Sequence, residues 1–215
     1  MQVDSQVPSW STTPESGCQI VPWRHAAEKK RIGTTATPNC ASPQNLERGD
    51  RLIRSLDGIW PKIHPTAFVS EEAYVVGDVE IGEGSSIWPR AVVRADSGKI
   101  TIGKQTCIQE ESVVHGDKDV IIGDRVVVGK HVLCHARDVG DRVLIGTGAT
   151  VNDGVVIGED SHVTAGSVLI EFMEVASGSV VEGVPGRVRR EVDEEHRELA
   201  RSVADDFVER AKARA

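Results

Sequence analysis

The sequence is short of almost everything that fills a conventional globular core. Only 4% of its 215 residues are aromatic: one tyrosine, three phenylalanines and four tryptophans. Large rings therefore cannot carry the packing, and the interior must be thin enough for aliphatic side chains to fill. No apolar run reaches the ~20 residues of a membrane-spanning helix, and the first residues lack the apolar core of a signal peptide. Basic residues are outnumbered, 25 against 33 acidic ones, and the net charge of −8 argues against a nucleic-acid partner. The four cysteines, Cys18, Cys40, Cys107 and Cys134, lack CxxC spacing. They read as free thiols in a reducing compartment, so no membrane partner and a cytoplasmic location are expected.

What the chain does have is a period of six. An aliphatic residue recurs at Val69, Val75, Ile81, Ile87 and Val93, then at Ile102, Ile108 and Val114, then at Ile122 and Val128. The series continues at Val139, Ile145, Val151, Ile157, Val163 and Leu169. A small or β-branched residue follows four positions later, as at Ala73, Ser85, Ala91, Thr106, Ser112 and Ala149. Neither a helix nor an alternating strand has this period. It fits a solenoid in which three short strands make one triangular coil of about 18 residues.

Three segments are predicted. Residues 1–55 hold Ser, Thr, Pro and charge without periodicity and read as a flexible extension in which Trp10 and Trp23 stand alone. Residues 56–188 are the solenoid. Residues 189–215 carry a helix capped by Asp193, with Glu194 and Glu195 in its first turn and Lys212 in its last. Leu199, Val203 and Phe207 are expected to form its buried stripe, on a solenoid face or a neighbouring subunit.

Counting three hexapeptides per coil stacks residues one strand spacing apart. The positions after Val93, Val114, Cys134 and Val151 then form one column of Arg94, His115, His135 and Asn152. Two histidines on adjacent coils either converge on a metal ion or hydrogen-bond in a polar ladder, and spacing alone leaves both open. The next column holds Trp88, Gln109 and Gly129, with Lys130 just beyond.

At these residues the chain resembles the γ-class carbonic anhydrases of the hexapeptide-repeat superfamily. The matching stretches are Ser86–Pro89, Val93–Asp96, Ile108–Glu110, Ser112–His115, Val128–His135 and Gly183–Val188. The resemblance implies an all-β fold, a left-handed parallel β-helix with a C-terminal α-helix, assembled as a homotrimer. It also implies a zinc or iron ion between subunits, whose bound hydroxide attacks carbon dioxide to give bicarbonate. On that likeness His115 and His135 are metal ligands, Arg94 and Asp96 an interface ion pair, and Gln109 the residue positioning the metal-bound water. Lys130 occupies the third ligand position, and the adjacent His131 is the nearest substitute. Cys107, Glu110, Ala95 and Phe207 also depart from the family pattern, Phe207 standing where a tyrosine is common. Asp117 and Asp119 are either loop carboxylates or proton shuttles.

Two alternatives accompany this reading. One is a metal-poor relative acting as a scaffold or anion binder, with Lys130 in place of the cation. The other is a hexapeptide-repeat acyltransferase using His162 or His135 as general base.

Overall fold

A computed structural model describes residues 52–214, and these form a three-sided parallel β-helix closed by one helix. Trp10, Trp23, Cys18, Cys40 and the extension up to residue 51 lie outside the described residues. Leu52–Arg54, assigned from sequence to the end of that extension, is a strand paired in parallel with Tyr74–Val76.

The first face of the prism stacks Phe68–Val69, Ser86–Ile87, Cys107–Ile108, Val127–Val128, Leu144–Ile145, His162–Val163 and Ser179–Glu182. The second stacks the start of Tyr74–Ile81 and of Val92–Ile102 on Val113–His115, Leu133–Cys134, Thr150–Val151 and Val168–Leu169. The third takes Lys62–Ile63, the ends of the same two long strands, Val120–Ile122, Asp138–Val139, Val156–Ile157 and Glu174–Val175. Within these stacks every pairing is parallel. The registers match the hexapeptide count: Ile87, Ile108, Val128, Ile145 and Val163 are successive partners, all essentially inaccessible to solvent.

The residues that interrupt the six-residue period after Val93 stay in the strand Val92–Ile102. They are tied down by Lys99, whose amide donates to Asp119 Oδ1 at 2.9 Å and whose ammonium meets Glu80 at 2.6 Å.

Small residues recur because neighbouring coils leave space for little else. A Cβ on Gly103 would lie 2.6 Å from the Gly123 carbonyl oxygen. Buried hydroxyls at the same level link one coil to the next. Ser85 donates to the Gly103 carbonyl at 2.7 Å while accepting from the Thr106 amide at 2.9 Å, and Thr106 repeats this toward Gly123 and Val126. Each such pair satisfies backbone groups that a purely aliphatic position would leave without partners.

The strand Arg187–Glu191 runs antiparallel to Ser179–Glu182 and closes the last coil. The helix follows this strand, beginning at Glu194 directly after its expected cap and ending at Lys212. Asp193 caps it, accepting from the His196 amide at 3.0 Å. The predicted stripe is corrected in part: Ala204, Phe207, Val208 and Ala211 are buried, whereas Leu199 is exposed. Steps of four overrun the 3.6-residue turn by about 40° each, so the row starting at Leu199 rotates off the contact line. The helix lies on the first face, where Phe207 meets Trp88 edge-on at 5.0 Å in a cluster with Cys107, Val127 and Leu144.

Candidate functional site

The sequence candidates fall at two different corners of the prism, on either side of the second face. At the corner after that face, parallel pairing sets Arg94 beside His115, and His135 follows Cys134 on the next coil. His115 Nδ1 lies 3.2 Å from His135 Nε2, the ring centroids being 4.8 Å apart. His115 is buried and His135 partly so. On its outer side, His115 Nε2 meets Asp96 Oδ2 at 3.2 Å and Arg94 Nη2 at 3.1 Å. Arg94 Nε also binds Asp96 Oδ2, at 3.0 Å. The outer nitrogen of His135, Nδ1, meets Asp153 Oδ1 at 2.9 Å.

Asp153 was not among the sequence candidates, because the column count followed strand positions and Asp153 sits one residue past them, in the turn before Gly154. Asn152, which the count did place in the column, instead donates to the Leu169 carbonyl at 2.7 Å.

Two proton arrangements are open to this chain. In one, Arg94 donates to His115 Nε2 and His115 Nδ1–H donates to His135. In the other, Asp96 and Asp153 each accept from the outer N–H of their histidine, and the two inner nitrogens face each other as lone pairs. The second leaves a place for an electropositive centre between them. Two ligands about 2.05 Å from a tetrahedral zinc lie about 3.3 Å apart, close to the observed separation. A histidine whose far nitrogen rests on a carboxylate is also the usual support for a metal ligand. The His115–His135 pair therefore fits a zinc-type ion.

A groove of about 360 Å³ opens beside it, lined by His135, Asp153, Asp117, Asp119, Arg137 and Phe172.

At the corner before the second face, Lys130 Nζ donates to Gln109 Oε1 at 3.2 Å and lies 3.7 Å from Glu110 Oε2 and 5.8 Å from the Phe207 ring. Gln109 is buried. His131 does not join the other two histidines within the chain. It occupies a left-handed corner position (φ +55°) above Arg90 and Glu111, and its Nδ1 pairs with Glu111 at 3.0 Å. No group of three potential ligands converges among the described residues.

Burial pushes the Cys107 thiol up to about 12 and the Cys134 thiol up to about 11. Both act as small hydrophobes rather than thiolate ligands. His162, the transferase candidate, lies on the first face beside His196 of the helix, with the ring centroids 5.2 Å apart, and so on a different face from His135.

No family model matches the chain. Its sequence is 54% identical over 129 residues to the probable carbonic anhydrase of Methanocaldococcus jannaschii, covering 59% of this chain and 81% of that one. The chain belongs to the γ-carbonic-anhydrase-like family of hexapeptide-repeat proteins. A second relative, mitochondrial gamma carbonic anhydrase 3 of Arabidopsis thaliana, is 44% identical over 180 residues, 80% of this chain and 69% of the relative. For two further mitochondrial γ-carbonic anhydrases of that plant the match spans less than half their length. Among solved structures, a hexapeptide transferase family protein from Anaplasma phagocytophilum superposes with a TM-score of 0.73 at 32% identity. That match covers 76% of this chain and 98% of the other. Membership of this family accounts for the three-sided parallel β-helix.

Proposed function

We propose that this protein is a γ-carbonic-anhydrase-type enzyme, hydrating carbon dioxide reversibly at a site shared between subunits of a homotrimer. The observation that carries the reading is the facing pair His115 Nδ1 and His135 Nε2, 3.2 Å apart, with Asp96 and Asp153 behind them. His115 and His135 would hold a zinc or iron ion, and such an ion supplies Lewis acidity that brings the pKa of water toward neutrality. Asp96 and Asp153 fix the two rings, and Arg94 holds Asp96 in place. Gln109, at the other corner, offers its amide to a neighbouring subunit's site, and Asp117 or Asp119 in the groove is placed to pass protons to solvent. Its buried free thiols, Cys107 and Cys134, support a cytoplasmic setting.

Lys130 favours a second reading. A lysine stands where the family resemblance puts the third ligand, and an ammonium there weakens the hold on a divalent ion. On that reading the protein is a metal-poor relative whose intersubunit pocket takes an anion.

Elemental analysis of the purified protein separates the two. The enzyme reading expects bound metal that is lost in His115→Ala, together with carbon dioxide hydration that tracks metal content. Metal-free, inactive oligomers would leave the second reading standing. Exchanging the neighbours, Lys130→His with His131→Lys, restores the family order and is expected to raise metal content.

A further inference from the structure

Away from this site, a small cavity separates the C-terminal helix from the solenoid. Arg125, Arg142 and His162 line it from the coils, and His196, Arg197 and Arg201 from the helix. Asp160 is the one carboxylate among the described residues on its wall.

The guanidinium donors are spent unevenly. Arg142 binds Asp160 through Nε at 2.7 Å and Glu159 through Nη2 at 2.8 Å. Arg125 binds Gln105 and Asp205, and Arg201 binds Glu194 and Glu198. Each has five N–H donors, so these contacts leave some in reserve. Arg197 is the least committed, its ion pair with Glu194 being 3.8 Å long, too far for a hydrogen bond. The surplus of positive charge is felt by Asp160, whose carboxyl is held below its usual value by Arg142 first, with Arg197 and Arg201 adding.

The wall also carries an orphan: His162 Nδ1 is buried without a hydrogen-bond partner. Burial, followed by the charges of His196 and Arg190, keeps this ring below its ordinary pKa and therefore neutral. An unmet buried polar atom of this kind is costly.

Size narrows the occupant. The cavity measures about 130 Å³, room for roughly four waters at about 30 Å³ each. Pockets for drug-sized ligands start near 300 Å³, so a nucleotide or a coenzyme A moiety does not fit within it.

We propose that this cavity binds a small oxyanion of the phosphate type, held by the uncommitted donors of Arg197 and Arg201, which pins the helix to the first face. The proposal is independent of the chemistry at His115 and His135.

The test is calorimetric titration of the full-length protein with inorganic phosphate at constant ionic strength, with thermal unfolding in parallel. Saturable binding and a higher Tm are expected with phosphate and not with chloride. Arg197→Ala and Arg201→Ala should each bind roughly tenfold more weakly, the effect of losing one hydrogen bond to a charged partner. His115→Ala should bind as the parent does. Arg197 and Arg201 are exposed helix positions, so neither variant endangers folding and the test stays decisive. Equal stabilisation by chloride, unchanged binding in Arg197→Ala, or loss of binding in His115→Ala alone would each overturn the proposal.

Discussion

Asp153 is one side chain removed from the proposed chemistry, yet it decides which nitrogen of His135 is free. With its carboxylate 2.9 Å from Nδ1, the N–H stays on that side and Nε2 turns its lone pair toward His115. Asp153→Asn removes the charge that holds this arrangement. Supporting carboxylates of this kind are worth roughly 10–100-fold in metal affinity. We expect a loss of that size in a chelator-competition titration, with unchanged far-ultraviolet circular dichroism. Metal affinity equal to the parent's would show that His135 keeps its tautomer without Asp153. At this scale the sequence was partly legible. Arg94, His115 and His135 were readable because strand positions repeat every six residues and pairing in register stacks them. Asp153 and His131 sit in turns, where side-chain direction depends on backbone dihedrals that the aliphatic period does not encode. His131 consequently turns toward Glu111.

Among the elements, the helix is the one whose docking depends on chemistry rather than on the hexapeptide repeat. Its anchor is Phe207, only 6% exposed against Trp88, Cys107, Val127 and Leu144. Phe207→Ala is expected to cost about 3–5 kcal/mol in urea unfolding, with the loss confined to the helix–solenoid contact if the coils unfold independently. The buried stripe was misread at Leu199 because two steps of four already drift far enough around the helix to leave the contact. His162 adds a pH dependence. Folding lowers its proton affinity through burial, His196 and Arg190, with Glu182 opposing. The unfolded chain therefore binds more protons near this ring's ordinary pKa of 6.5, and stability rises with pH through and below that value. Unfolding midpoints measured in phosphate-free buffer between about pH 5.5 and 7.5 should fall on the acid side. The fall should be smaller in His162→Phe; an identical profile would assign the dependence to other groups.

At the scale of the whole molecule, the three faces of the prism are not equivalent. The helix covers the first. The third turns Glu80, Thr101, Asp138 and Glu174 outward among its apolar residues. The second presents Tyr74, Val92, Val113, Leu133, Thr150 and Val168, a strip apolar but for Thr150, and Leu133 is 40% exposed. This face is flanked by both clusters of candidate residues, His115–His135 at one corner and Gln109–Lys130 at the other. A head-to-tail contact closing after three copies would join unlike corners of neighbouring chains. It would bury the apolar strip in the same step and bring Gln109 and Lys130 of one chain toward His115 and His135 of the next, as the proposed shared site requires. Leu133→Glu puts a charge in the middle of that strip without touching the core, since Cys134 and not Leu133 faces inward. The variant is expected to run as a monomer in light scattering, to keep its β-helix by circular dichroism, and to lose bound metal along with its neighbours. If it stays trimeric, the second face is not the contact. If instead the monomer retains the metal with the parent's affinity, His115 and His135 hold the ion without help from a second chain, and the site is not shared.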